Sequence, residues 1–338
     1  MRALSVSEPW GLDRIEVIEA PDPTPGPGEV LVRMRAVSLN YRDMLMVNGM
    51  YARGPATGGP ITPFSDGCGV VEAVGPGVTR VQPGDRVATL FFQHWISGPP
   101  TLEKLSSSLG SPIPGAGRQL AVFSQDGVSK VPEFLSDQQA ATLPCAALTA
   151  WRALFEDADL KPGDTVVLQG TGGVSIFGLQ FAHAAGLRTL ITSSSDEKLA
   201  RAKALGANHL VNYKQEPDWA KAVRAATGGV GADLIIEVGG GGTIEQSMRA
   251  IKIGGHVAIV GVVAGLGSGF NTAALIGNSA KLQGLSVGSR DMFEAMCRFM
   301  DLHRIQPVVD KVFPWTEVKA AFGAMQGGEH FGKIVLEF

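Results

Sequence analysis

The sequence predicts an α/β protein in two parts: a small, partly open β-barrel over residues 1 to about 140, and a doubly wound parallel sheet beginning near Thr149. Three observations carry this expectation. Short Val-rich stretches separated by Pro-Gly turns fill the first part. Six apolar stretches alternate with helical patterns in the second, the arrangement of βαβ units. The first of those six runs straight into a glycine-rich turn and a helix.

In chain order, Gly28 to Val37 alternates apolar and polar residues as a half-buried strand does. Gly67–Val74 and Asp85–Leu90 continue the theme, punctuated by Gly75-Pro76-Gly77 and Pro83-Gly84-Asp85. Gln93 through Arg118 is rich in Ser, Pro and Gly and reads as a long surface loop. Strands are expected at 165–169, 188–192, 209–212, 232–237, 256–260 and 281–286, with helices between most of them, the first over Val174–Ala185. Phe331–Phe338 reads as a strand again, able to return to the first part.

At 338 residues the chain is long enough for two domains with full cores. It is 45% hydrophobic and 18% charged with a net charge of −3, and no basic stripe is present, which argues against a nucleic-acid partner. No apolar run approaches the ~20 residues of a membrane-spanning helix, and no secretory h-region opens the chain, so no membrane partner is expected. Cys68, Cys145 and Cys297 are odd in number and far apart. They argue against a disulfide framework, fit a reducing cytoplasm, and are too few for a four-cysteine structural zinc site.

The segment Thr165-Val166-Val167-Leu168-Gln169-Gly170-Thr171-Gly172-Gly173-Val174-Ser175 carries the most chemistry. A buried strand, a tight turn and a helix N-terminus together make a dinucleotide pyrophosphate site. Gly170, Gly172 and Gly173 let the backbone approach the phosphates, and the N–H groups from Val174 onward and the helix dipole offset their charge. Ser175 stands where the usual G-x-G-x-x-G pattern has its third glycine, so the strand before and the helix after are what give the motif weight.

Further motifs follow one another in a fixed order. They are Ala36-Val37-Ser38-Leu39-Asn40-Tyr41-Arg42-Asp43, Gly75-Pro76-Gly77-Val78-Thr79-Arg80 with Gly84-Asp85-Arg86-Val87, Leu143-Pro144-Cys145-Ala146-Ala147-Leu148-Thr149-Ala150-Trp151, and Lys203-Ala204-Leu205-Gly206-Ala207. With them the chain resembles, over essentially its whole length, the zinc-free branch of the medium-chain dehydrogenase/reductase superfamily, the quinone-oxidoreductase-like and zinc-type alcohol dehydrogenase-like proteins. The resemblance implies a GroES-like catalytic domain (1–145 and 288–338), an inserted Rossmann NADP-binding domain (146–287), and an active site in the cleft between them. It also implies a homodimer that pairs the sixth Rossmann strand across a two-fold axis.

The family comparison also implies no metal. In zinc-dependent relatives a Cys, a Gly-His-Glu and a second Cys supply the catalytic ligands; here those positions read Asn40, Phe64-Ser65-Asp66 and Cys145. Catalytic zinc needs about three N, S or O ligands, and this is a poor set. For the nucleotide, Ser193 occupies the position at the end of the second Rossmann strand where NAD-binding members carry an acidic side chain. Ser193 and Ser194, with Lys198 and Tyr213 beyond, are placed to clamp a 2′-phosphate, so NADP(H) is favoured; alternatively Ser193-Ser194-Ser195 only caps the following helix. By family position Thr149 lies under the nicotinamide, and Val262-Val263 and Val287 through Ser289 receive its carboxamide. Gly239 begins a flexible crossing beneath the cofactor, and Lys333 either nears the pyrophosphate or is a solvated tail lysine.

Without a metal, polarisation of a carbonyl falls to hydrogen-bond donors. The spacing Asn40-x-x-Asp43…Gly49-x-Tyr51 looks like that of mitochondrial-type enoyl thioester reductases, which makes Tyr51 the candidate proton donor. Asn40 and Tyr41 then orient or polarise substrate, and Asp43 ties down the loop; the plain alternative is that Tyr51 packs at a domain edge. The function expected is NADPH-dependent hydride transfer to a quinone or an activated enone or enoyl double bond. A metal-free alcohol dehydrogenase or carbonyl reductase, and a non-catalytic dinucleotide-binding protein, are the alternatives.

Overall fold

The computed structural model describes residues 1–50, 59–267 and 271–338. Its strands are β1 (Arg2–Val6), β2 (Ile15–Glu19), β3 (Glu29–Ser38), β4 (Asp66–Val74), β5 (Arg86–Thr89), β6 (Leu120–Ser124), β7 (Val128–Lys130), β8 (Thr165–Leu168), β9 (Arg188–Ser193), β10 (His209–Asn212), β11 (Ala232–Glu237), β12 (Ile251–Ile259), β13 (Lys281–Gly284), β14 (Val309–Pro314) and β15 (Lys333–Glu337). The helices that bear on the site are α1 (Tyr41–Val47), α2 (Gly173–Ala184), α3 (Asp196–Ala204), α4 (Trp219–Ala226), α5 (Ile244–Ala250), α6 (Arg290–His303) and α7 (Val318–Gln326). The chain divides into a unit of Met1–Leu148 with Val287–Phe338 and a unit of Thr149–Ser286.

The first unit is organised around β3. Its alternating side chains bury Val30, Val32, Met34 and Ala36 while Arg33 and Arg35 face out. Antiparallel partners β4, β6 and β15 all pair with it, within a seven-stranded sheet whose path runs β14-β15-β3-β4-β5-β7, with β6 joined to β3 off that path. That path ends on two different strands, as an open barrel requires. Leu4, Met34, Phe64, Val71, Phe123, Phe322 and Leu336 form the core, with the Phe64 and Phe322 rings stacked 5.8 Å apart. Pairing of β15 against Ala36–Ser38 brings the closing strand beside the start of α1.

The 93–118 segment corrects an expectation. Its outer part, with a one-turn helix at Leu102–Leu105, is exposed, yet Trp95, Leu109 and Ala116 are fully buried, as are Ser107, Ser108 and Ser111. The polar groups are satisfied from inside: Ser108 Oγ donates to Ser111 O (2.5 Å), Trp95 Nε1 to Gly98 O (2.8 Å), and Gln93 Nε2 to Leu90 O and Gly127 O. Low hydrophobicity therefore reads as surface while the hydroxyls serve a buried loop.

In the second unit six strands lie parallel in the order β10-β9-β8-β11-β12-β13. Val166, Val167 and Leu168 on β8 are buried on both faces, which is why a central parallel strand reads as a continuous apolar run. Chain direction through the sheet reverses between β8 and β11, and ligands bind at the carboxyl ends of strands at such a switch point. Two boundaries differ from expectation by more than one residue. β12 starts at Ile251, because Ile251 pairs Ala232 across a register shift, and the glycines at 254–255 hide that pairing from a hydrophobicity pattern. β13 ends at Gly284.

Candidate active site

Strand β8 delivers Gln169 and Gly170 to the switch point. Gly170 has φ +70°, a left-handed conformation that favours glycine, and a Cβ added at Gly170 or Gly172 would meet nothing within 4 Å. The space above the turn is open to a ligand. Twelve-residue α2 begins at Gly173, and its first-turn N–H groups, Val174 among them, have no intrahelical acceptors. Ser175 Oγ donates to Gln169 O (2.6 Å), so the serine in place of the third glycine ties helix to strand. Open backbone and oriented N–H groups fit a dinucleotide pyrophosphate.

At the end of β9, Thr192 Oγ1 accepts from Gly170 N (3.1 Å) and links the strand to the phosphate turn. Ser193 is buried, with Oγ accepting from Ser195 N (3.3 Å), and Ser195 Oγ caps α3 by accepting from Lys198 N (3.3 Å). Ser194 and Lys198 are half-buried and Tyr213, whose N–H donates to Ser193 O, is exposed. The nearby carboxylate of Asp196 accepts from Asn212 Nδ2 (2.7 Å) and Gln215 Nε2 (2.8 Å). No carboxylate stands at the position of Ser193 itself.

The Gly239–Gly242 crossing is pinned, which corrects the expectation of a flexible crossing. Glu237, fully buried, accepts from Gly239 N (2.8 Å) and Gly240 N (2.9 Å), and Gln169 Oε1 accepts from Val238 N (3.1 Å) and Gly239 N (3.2 Å). A Cβ on Gly241 would lie 2.2 Å from the Gly267 backbone, so the glycines serve close packing. Val263 is exposed, but its N–H donates to Val238 O (3.0 Å), and Val262 O accepts from Gly265 N (2.9 Å). Sequence reasoning missed Gln169, Glu237, Thr243 and Ser247; an acidic residue directly after the apolar Leu234-Ile235-Ile236 run was the signal available.

The first unit holds a buried polar cluster at the start of α1. Lys333 is 3% exposed, which excludes a solvated tail; β15 pairing carries it inward, where Nζ donates to Leu39 O (2.5 Å) and Asn40 Oδ1 (2.7 Å). Asn40 caps α1, and Asp43 Oδ2 accepts from Asn40 N (2.9 Å). Asn40 Nδ2 has no partner within hydrogen-bond distance among the described residues. Asp66 accepts from Ser65 Oγ (2.8 Å) and Cys145 N (3.2 Å). Burial pushes the Asp43 carboxyl up to about 6, with Asp66 adding to the rise and Arg42, Asn40 and Lys333 opposing it. Burial likewise raises Asp66, against the pull of Lys333, Asn40 and Ser65.

Tyr41, at the first turn of α1, is exposed, and Tyr51 lies outside the described residues. Thr149 is buried in the second unit. Val287 has φ +46°, a strained value for a β-branched residue, and Ser289 is buried with Oγ donating to Asp291 Oδ1.

These side chains do not fit a catalytic zinc. The Lys333 ammonium occupies Asn40 Oδ1, and both Asp66 oxygens accept protein donors. Among the described residues no group of three or more His, Cys, Asp or Glu is arranged to hold a metal.

Residues 173–301 match the family model of zinc-binding dehydrogenases, and residues 26–133 that of the alcohol dehydrogenase GroES-like domain. A zinc-type alcohol dehydrogenase-like protein of Schizosaccharomyces pombe is 43% identical over 317 residues, 92% of this chain and 91% of its own. The quinone oxidoreductase of Rattus norvegicus is 30% identical over 263 residues, 77% of this chain and 73% of its own. The crystal structure of an NAD-dependent alcohol dehydrogenase superposes with a TM-score of 0.90 at 32% identity, covering 100% of both chains.

Proposed function

Because the chain belongs to the zinc-type alcohol dehydrogenase-like proteins of the medium-chain dehydrogenase/reductase superfamily, an oxidoreductase family, we propose that it is an NADPH-dependent, zinc-free reductase of quinones or of activated enone or enoyl double bonds. The observation that carries the reading is the buried cluster in which Lys333 Nζ donates to Asn40 Oδ1 and lowers the cost of burying Asp66, at positions where zinc-dependent relatives carry metal ligands. Zinc-dependent alcohol oxidation relies on a Lewis acid. Reduction of a conjugated double bond or a quinone proceeds with hydrogen-bond donors alone.

The dinucleotide, when bound, supplies the hydride. The chain's residues do the rest: the Gly170–Val174 turn binds the pyrophosphate, and Ser193, Ser194, Lys198 and Tyr213 surround the ribose phosphate. Thr149, Val262 and Val263 seat the nicotinamide. In this reading Asn40 orients the substrate, and Tyr41 and Tyr51 complete the donor set. Tyr51 supplies the proton, since a phenol with a pKa near 10 stays protonated at neutral pH. The reading includes a homodimer and a cytoplasmic location, the latter in keeping with three free cysteines.

A second reading, a metal-free alcohol dehydrogenase or carbonyl reductase, is favoured by the likeness to the NAD-dependent alcohol dehydrogenase. One experiment separates them: NADPH oxidation followed over quinones, enones, enoyl thioesters and aldehydes, with metal analysis of the dialysed protein. Turnover of quinones or enones by metal-free protein is expected. Aldehyde reduction alone supports the second reading; stoichiometric zinc with activity lost to chelators overturns the first; binding without turnover of any substrate indicates a non-catalytic protein.

A further inference from the structure

Five hydrogen-bond donors converge on one buried carboxylate in the second unit. Glu237 closes β11 and is 0% exposed. Its Oε1 accepts from Gly239 N (2.8 Å), Gly240 N (2.9 Å) and Thr243 Oγ1 (2.5 Å), while Oε2 accepts from Gln169 Nε2 (2.6 Å) and Ser247 Oγ. Gln169, the residue before the phosphate turn, is equally constrained. Its Oε1 accepts from Val238 N and Gly239 N, and its Nε2 donates to Glu237 and to Ser247 Oγ (3.0 Å). Backbone bonds carry the same register outward. Val260 N and Gly261 N donate to Glu237 O, Val263 N to Val238 O, Ala264 N to Gly239 O, and Gly241 N to Gly265 O.

We infer that Gln169 and Glu237 form a positioning pair that holds the phosphate turn at Gly170 in register with the 261–265 segment, and so sets where the nicotinamide end of the bound dinucleotide sits. This rests on the cofactor reading above. The pair touches no ligand itself; it acts through the backbone whose N–H groups it occupies. Its chemistry is directional. Both Oε1 atoms are committed to main-chain donors, so the Gln169–Glu237 contact works only with an amide NH2 facing a carboxylate oxygen. Glu237→Gln would set two NH2 groups face to face, and Gln169→Glu two carboxylates. The exchange of both residues, Gln169→Glu with Glu237→Gln, restores one donor opposite one acceptor at unchanged net charge.

The test measures binding of NADPH, NADH and adenosine 2′,5′-bisphosphate to the native protein and the variants, together with the fluorescence of the bound reduced nicotinamide. Glu237→Gln is expected to weaken NADPH about tenfold, the scale of a buried polar mismatch, and to change the nicotinamide fluorescence. Affinity for adenosine 2′,5′-bisphosphate should stay within about twofold, since that half sits at the β9 end, and the double exchange should recover NADPH affinity to within about threefold. Should Glu237→Gln or the exchange fail to fold, Thr243→Val removes a single donor and carries the same readouts with a loss of about threefold. Native protein that binds neither NADPH nor NADH overturns the cofactor reading and this inference with it. Native binding with unaltered variants, equal loss of the adenosine half and the whole dinucleotide, or a folded exchange variant that recovers nothing overturns the inference alone.

Discussion

Under the proposed cofactor reading, Ser193 at the end of β9 leaves the ribose pocket without the carboxylate that would repel a 2′-phosphate. Ser193→Asp should therefore weaken NADPH far more than NADH; a charge-assisted bond to phosphate contributes roughly 1.5–3 kcal/mol, a preference of tenfold or more. Titration of native and variant protein with both nucleotides checks it, and equal native affinities would refute the assignment. Tyr51→Phe should lower kcat by about 10²–10⁴-fold with little change in NADPH affinity; a variant that keeps its hydride-transfer rate removes Tyr51 from the mechanism. Lys333 neutralises a buried site that also holds Asp66 and Asp43. Removing one partner of a buried charge cluster leaves the other uncompensated, so Lys333→Met should cost about 3–5 kcal/mol of stability, read as a lowered urea midpoint at pH 7.5. At this scale the sequence named Asn40, Asp43 and Lys333 as site residues, but a lysine near a terminus carries no mark of burial. Pairing of β15 with β3 supplies it.

Strand β12 shows what an element adds. His256 is buried between β11 and β13, opposite Leu234 and Lys281, and neither ring nitrogen has a hydrogen-bond partner among the described residues. Burial, reinforced by the Lys281 ammonium and opposed by Asp157, pushes its pKa down to about 4. The folded value lies below the unfolded one, so the neutral ring stabilises the fold above about pH 6.5 and that contribution is lost as pH falls toward 4. His256→Leu should flatten the fall in stability between pH 7 and 4.5 by about 2–3 kcal/mol; parallel urea midpoints at the two pH values would sink the argument. The strands of the parallel sheet were legible because buried β-branched runs differ from the helices between them. The inner part of 93–118 was not, since serines bonded inside a loop look the same in sequence as serines bonded to water.

At the scale of the molecule, β13 is an edge strand, with β12 on one side and no strand on the other among the described residues. The helical turn at 272–277 just before it exposes Ile276 at 77%. An open edge beside exposed apolar surface invites pairing, and a two-fold axis satisfies both copies with one surface. A dimer by light scattering at micromolar concentration is expected; a monomer there would count decisively against it.

The sequence by itself determined the two-part architecture and the strand, glycine-rich turn and helix that open the second part, because each is written in neighbouring residues at a period or spacing that sequence displays. Only the tertiary structure decided which buried groups satisfy one another. Lys333 meets Asn40 across 293 residues and Gln169 meets Glu237 across 68. Such partners are chosen by sheet register and by the cost of leaving a buried polar group unpaired, and neither quantity exists until the chain has folded.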